Sequence, residues 1–294
     1  MSRLLITGAN GGLGQELTRL LHERDDMQIL ALTKAELDIT DFNAVVDVVT
    51  RFQPDVVINA AAYTRVDDAE THRSDAFAVN ERGAKNLAMA CDRIGAKLCH
   101  ISTDYVFGGG HATVPYVESD PILPLGVYGE SKAAGERAVL NHCEKSFIIR
   151  TAWLYSAFGA NFVRTMIRAG STVGDEGLRV VNDQIGSPTW TRDLSQFILA
   201  LIETDRYGVY HGCNVGACSW YEFAVAIFRE VEMDVKVTPV TTEEFPRPAK
   251  RPSFSALESR AIPANGFSSF RSWQDALSDF VLTHREAINE WRGP

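Results

Sequence analysis

The chain has 294 residues, 45% hydrophobic and 23% charged, enough for one large soluble domain or two modest ones. A net charge of −9 with no lysine/arginine block argues against nucleic acid and anionic membrane surfaces as partners. No apolar run approaches the roughly 18 residues of a membrane span, and no charged leader precedes an apolar stretch at the N-terminus, so a cytoplasmic protein is expected. Five scattered cysteines (Cys91, Cys99, Cys143, Cys213, Cys218) form no C-x-x-C and fit reduced, core-packed thiols. The seven histidines, His111 among them, show no ligand spacing, and no metal is expected.

Arg3–Thr7 is a short apolar run that reads as a buried strand. It leads into Gly8-Ala-Asn-Gly11-Gly12-Leu13-Gly14 and then a helical stripe of Leu13, Leu17, Leu20 and Leu21. Strand, glycine loop, helix is the context of a dinucleotide fingerprint, here spaced G-x-x-G-x-x-G. Glycine allows the tight turn and the close approach of backbone to a pyrophosphate. The helix N-terminus adds free N–H groups and a positive dipole end. A second strand, Gln28–Leu32, ends on Thr33 and Lys34, where NAD-preferring folds often carry an acidic residue. Without that carboxylate, NADPH is expected to serve at least as well as NADH.

A helix over 42–52 with Thr40 or Asp41 as its cap precedes a third strand, 55–58. This strand runs into Asn59-Ala-Ala61-Ala62-Tyr63-Thr64, small side chains at the edge where open parallel sheets bind ligands. A long helix is expected over 73–95, with Asn80 as a polar residue on its apolar face, there to brace the next helix's lysine through water or to cap local backbone. The fourth strand, 97–102, ends in Ser102-Thr103-Asp104-Tyr105, and Gly108–Gly110 then reads as a flexible loop.

Tyr128 and Lys132 share a face of the helix that follows. An ammonium within ~4–6 Å favours the phenolate and lowers a tyrosine pKa from its usual ~10. Tyr128 is then a candidate general acid toward a carbonyl, with Thr103 as a hydrogen-bond partner of the same oxygen. Ser146–Arg150 reads as a fifth parallel strand, and Trp153 follows on the ligand side, suited to stack on a sugar face. Beyond 151 the alternation loosens. Helices are expected near 161–170, 191–203 and 219–230, short strands at 179–181 and 208–211, and one amphipathic helix from Trp273 to Trp291. Arg247, Lys250 and Arg251 form a basic, proline-rich loop suited to a substrate diphosphate.

Thr7–Gly14 together with Tyr128-x-x-x-Lys132 resembles the extended short-chain dehydrogenase/reductases. More narrowly, Asn59–Thr64, Val66–Glu70, Ser102–Phe107, Val127–Gly129, Arg150–Tyr155, Asn182–Thr189 and Arg251-Pro252 resemble the dTDP-4-dehydrorhamnose reductase family. The resemblance implies a doubly wound parallel α/β sheet (Rossmann) with a smaller mixed α/β lobe. Residues 1–150 would bind NAD(P) and 151–294 mainly the substrate, with some segments returning to the first domain. It implies reduction of the C4 carbonyl of a dTDP-4-dehydro sugar by NADPH, with NADH as an alternative. A small nucleotide sugar is then the partner, and a homodimer is left open.

The resemblance makes Tyr128 the proton donor, Lys132 its support and Thr103 the group that polarises the carbonyl. Gly8, Gly11, Gly12, Leu13, Gly14, Thr33, Asp38, Ile39, Ala61, Ala62, Tyr63 and Thr64 would follow the cofactor, with Asp38 and Ile39 at the adenine. Asp104, Tyr105, Trp153 and Arg251 would meet the substrate. A reductase of another nucleotide-linked 4-dehydrohexose, or a non-catalytic NADP-binding regulatory subunit on the same fold, are the alternatives.

Overall fold

Four nearly continuous apolar runs form the middle of a parallel sheet, buried on both faces as such runs require. The computed structural model describes residues 2–22, 24, 26–110 and 112–293; His111 lies outside the described residues. The chain runs β1 (Ser2–Thr7), α1 (Gly12–Leu21), β2 (Met27–Leu32), α2 (Phe42–Phe52), β3 (Val56–Asn59), α3 (Val66–Ala69), α4 (Arg73–Phe77), a π-helical turn (Ala78–Gly83), α5 (Ala84–Ile94), β4 (Lys97–Thr103), α6 (Val127–His142) and β5 (Ser146–Thr151). It continues through β6 (Leu154–Tyr155), α7 (Phe162–Thr172), β7 (Leu178–Val181), β8 (Ile185–Gly186), β9 (Thr189–Trp190), α8 (Thr191–Ile202), β10 (Gly208–His211), β11 (Cys218–Ser219), α9 (Trp220–Glu230), β12 (Val237–Val240), α10 (Ala261–Ala264), α11 (Trp273–Thr283) and α12 (Arg285–Trp291).

Six strands pair in parallel in the order β10-β5-β4-β3-β1-β2. The chain leaves β1 toward β2 and then crosses back to β3 on β1's other side. That reversal opens a crevice beyond the carboxyl ends of β1 and β3, the ligand edge of such sheets. One face is covered by α1 and α8, whose Leu13, Leu17, Leu194 and Ile198 pack on Leu4, Ile6 and Ile149. The other is covered by α2 and α5 through Val45, Val49, Leu87 and Cys91. Thus α8 and β10, both beyond residue 151, complete the first sheet's layers.

The rest of the C-terminal part has its own aromatic core, in which Tyr155, Trp190, Phe223, Trp273, Phe280 and Trp291 meet. Short pairs β7·β12, β8·β11 and β6·β9 frame it. The single helix expected over 273–291 is instead two. His284, at φ −117° and ψ 30°, breaks it, and the bend brings Trp291 back to within 6.3 Å of Phe280. A period of 3.6 runs across such a bend unchanged, so the apolar stripe does not reveal it.

The helical run over 73–94 carries the π-helical turn at its middle, a feature common at functional sites. Asn80 sits in that turn, buried. Its Nδ2 donates to Tyr63 O and to Ser131 Oγ at 3.1 and 2.9 Å, while its Oδ1 accepts from Tyr63 N at 2.8 Å. Asn80 therefore ties the small-residue segment after β3 to α6 directly, through Ser131, and Lys132 is not its partner. Helix α6 lies close because two of its residues lack side chains. A Cβ on Gly135 would stand 2.1 Å from Asn80 O, and one on Gly129 2.1 Å from Tyr105 O.

Candidate active site

The glycine loop turns back under the crevice as its spacing demands. Gly8 has φ +72°, and a Cβ there would lie 2.6 Å from Ala61 N. A Cβ on Gly14 would meet Gly8 O at 2.3 Å. These contacts bring the loop against the strand-end backbone after β3. Beneath it runs a buried polar chain in which Thr7 Oγ1 donates to Asn59 Oδ1 at 2.8 Å and Asn59 Nδ2 meets His100 Nδ1 at 2.9 Å. No side chain caps the start of α1 at Gly11, so its amide dipoles face the cleft, as an anionic diphosphate requires. The loop thus fits a dinucleotide pyrophosphate.

Gly11, Gly12, Leu13, Gly14, Ala62, Thr64, Thr103, Asp104, Tyr105, Tyr128, Lys132 and Trp153, all sequence candidates, line one cleft of about 630 Å³. A wider hollow of about 780 Å³ between α8 and the 266–271 segment holds none of them. Lys132 is 2% exposed, and its Nζ donates to Ile101 O at 2.5 Å. Burial lowers its pKa to about 8, offset in part by Glu136 one turn on. Tyr128 stands across the cleft floor with its ring edge-on to Tyr105 at 5.4 Å. Burial pushes its pKa up to about 12, against a lowering contribution from a hydrogen bond with Thr103. The expected depression of the tyrosine by the lysine is therefore absent here: desolvation and the nearby Asp104 raise the phenol, and the ammonium is committed to a backbone carbonyl.

Asp104 is buried, accepting from Ser255 Oγ at 2.6 Å and from Thr103 Oγ1 at 3.1 Å. Burial raises its pKa to about 6 despite both bonds. Behind α6, Glu136 accepts Arg150 Nε and Nη2 at 3.0 and 2.8 Å, and Ser102 also donates to it. This buried ion pair fixes the helix against β4 and β5.

Trp153 reaches the cleft from a left-handed backbone, φ +47°, a strained conformation for a bulky residue. Two features hold it there. Its indole stacks on Trp220 at 3.4 Å with the planes 5° apart. Gly186 lies beneath, where a Cβ would be 2.3 Å from the ring. Trp220 and Ser255 escape a reading of the sequence. Trp220 opens α9 behind a Ser219/Glu222 capping box, so it looks like an ordinary first-turn residue.

Other candidates stand apart from the cleft. Arg251 does not line it: its Nη2 is 3.0 Å from Asp67 Oδ2, and Asp67 also accepts Ala249 N at 3.1 Å. The basic loop is thereby docked on α3, where a carboxylate already neutralises that guanidinium. Glu70, from the same short helix, accepts Val127 N at 3.0 Å and so caps α6. Gly108 and Gly109 are packed rather than free. Gly109 N donates to Leu123 O at 2.7 Å, and a Cβ on Gly108 would stand 2.8 Å from Pro252. Ala61 N is held by Asn59 Oδ1 at 3.2 Å. Tyr63 and Ile39 are buried, Ile39 against Gly83, and their backbones are engaged too, Tyr63 N and O by Asn80 and Ile39 O by Asn86 Nδ2. Asp38 is turned onto Thr40, accepting its N and Oγ1 at 2.9 and 2.8 Å.

The end of β2 also departs from expectation. Thr33 is not followed by carboxylate-free surface, since Glu36 folds back and its Oε2 accepts both Thr33 N and Thr33 Oγ1 at 2.8 Å. Among the described residues no cluster of three or more His, Cys, Asp or Glu could hold a metal ion.

A doubly wound dinucleotide fold with a tyrosine–lysine pair and a strand-end threonine in its cleft defines the extended short-chain dehydrogenase/reductase class. Within that class the chain belongs to the RmlD family, whose model, described as the RmlD substrate binding domain, matches residues 2–285. It is 43% identical to the dTDP-4-dehydrorhamnose reductase of Aggregatibacter actinomycetemcomitans over 95% of this chain and 98% of that one. It is also 43% identical to the spore coat polysaccharide biosynthesis protein SpsK of Bacillus subtilis, over 98% of this chain and all of that one. The crystal structure of dTDP-4-dehydrorhamnose reductase from Bacillus anthracis in complex with NADP superposes with a TM-score of 0.91, at 45% identity, over 96% of this chain and all of that one.

Proposed function

We propose that the chain reduces the C4 carbonyl of dTDP-4-dehydro-β-L-rhamnose to dTDP-β-L-rhamnose with NADPH. The convergence of Thr103, Tyr128 and Lys132 in the cleft beside the glycine loop carries this reading. Bound NADPH supplies hydride to the carbonyl carbon. Tyr128 then donates its phenolic proton to the oxygen that becomes the alcohol. The half-buried tyrosine, its pKa pushed up to about 12, remains protonated across the physiological range, the state a proton donor needs. Thr103 Oγ1, whose proton rests on Asp104 Oδ1 in this structure, turns to donate to the same oxygen and favours the charge that develops on it. Lys132, one helical turn from Tyr128, stabilises the phenolate left behind, which regains its proton from water.

Trp153 and Trp220 form an aromatic wall against which the sugar nucleotide packs, with Asp104 and Tyr105 opposite. Residues 1–150 hold the dinucleotide and the later part mainly the sugar, with α8 and β10 returning to the first sheet. Five buried free thiols suit a cytoplasmic setting. A non-catalytic role has no use for Thr103, Tyr128 and Lys132 brought together. The test is NADPH oxidation with dTDP-4-dehydro-L-rhamnose and a panel of other dTDP-4-dehydro-deoxyhexoses. Preferential turnover of the rhamnose precursor is expected. Preferential turnover of another sugar would overturn the substrate, and NADPH binding with no turnover across the panel would overturn the reaction.

A further inference from the structure

We infer that Glu36 sets the choice between NADPH and NADH, acting as a built-in competitor for the cofactor's 2′-phosphate; the inference rests on the reading of the cleft as a nicotinamide site. In open parallel sheets the residue after β2 is where the adenosine ribose is read. Here that residue is Thr33, beside the glycine loop: Ala9 N donates to Leu32 O at 3.1 Å. Thr33 offers two donors, its backbone N–H and its hydroxyl, and both end on one oxygen of Glu36 at 2.8 Å. The carboxylate therefore occupies the pair of donors that a 2′-phosphate would use.

The two cofactors make different demands on this arrangement. A 2′-hydroxyl donates a hydrogen bond to a carboxylate that stays in place. A 2′-phosphate cannot share Thr33 with a carboxylate, because like charges at contact distance repel. It must displace Glu36 and take over both donors. The displacement is cheap, because Glu36 is exposed and, among the described residues, its carboxylate is anchored only to Thr33. The nearby Asp38 is turned away onto Thr40 and leaves the Thr33 donors to Glu36. The site thus carries one removable carboxylate on Thr33, and it admits both cofactors with Glu36 weighing against NADPH.

The experiment is equilibrium binding of NADPH and NADH to the unaltered protein and to Glu36→Gln and Glu36→Ala, at low and high salt. One unit charge removed at about 4 Å in a largely aqueous setting shifts the affinity ratio by roughly fivefold to tenfold. Both variants are expected to bind NADPH about that much more tightly relative to NADH, with the gain shrinking in high salt. A ratio unchanged within about twofold would overturn the inference. So would equal weakening of both cofactors, which marks Glu36 as a brace of the 33–37 turn only. Failure of the unaltered protein to bind either nucleotide would overturn the functional reading itself, and this inference with it.

Discussion

At the scale of single residues, the two central side chains are both displaced from their solution titration, in opposite senses and by one cause. Burial pushes Tyr128 up to about 12 and Lys132 down to about 8. Lys132 is the costly one. Its pKa in the fold lies below its ordinary value of 10.5, so between pH 8 and 10.5 the folded state binds fewer protons than the unfolded chain, and stability rises with pH across that window. Below pH 8 the full penalty applies, about 3 kcal/mol at 1.36 kcal/mol per pKa unit. That figure already includes the attraction of Glu136, and the bond to Ile101 O, worth about 1 kcal/mol, offsets it further. Lys132→Met should therefore hold or raise stability by about 2 kcal/mol at pH 7 while abolishing most turnover. Denaturation at pH 7 and near pH 10.5 checks this: the advantage should vanish at the higher pH, and clear destabilisation at pH 7 would contradict it.

At the scale of elements, sequence periodicity located most of what was built. Strands β1 and β4 could be read from apolar runs because a doubly buried parallel strand leaves no polar side, and β2, at the sheet edge and only half-buried, from its apolar composition. The cap of α2 was legible too, since Asp41 Oδ1 accepts the N–H groups of Asn43 and Ala44. What stayed hidden was the reason for each glycine. Gly108 and Gly109 read as slack in the chain, yet they exist because Pro252 and Leu123, far along or across the loop, leave no room for a Cβ. Gly135 is another such case. Gly135→Ala forces α6 off the π-helical turn and should cost about 1–3 kcal/mol, whereas Gly174→Ala, with nothing within 4 Å, should be neutral. Urea titrations of the two variants decide it, and equal stabilities would mean that α6 moves without penalty.

At the scale of the whole molecule, the cleft is made where two distant parts of the chain close on each other. Its cofactor side could be read in advance, because the glycine loop and Tyr128-x-x-x-Lys132 are each local patterns. The side proposed for the sugar could not, because Trp220 reaches the cleft, and Ser255 the buried Asp104, only through tertiary folding, and Arg251 is claimed by Asp67 from a distant part of the chain. Trp220→Ala removes the stacked partner of Trp153. An aromatic pair is worth about 0.5–1.5 kcal/mol, so KM for the sugar nucleotide should rise about twofold to tenfold while the Kd for NADPH stays unchanged. A parallel loss of cofactor affinity would show that the stack supports the fold rather than the sugar site.

The most direct test of the account is Tyr128→Phe, assayed for kcat with the dTDP-4-dehydro sugar and for the Kd of NADPH. Loss of the proton donor should reduce kcat by about 10²–10⁴ and leave NADPH binding within about threefold, because only the phenolic oxygen is removed. Near-normal turnover in this variant would contradict the assignment of Tyr128 as the acid and, with it, the chemistry proposed for the cleft.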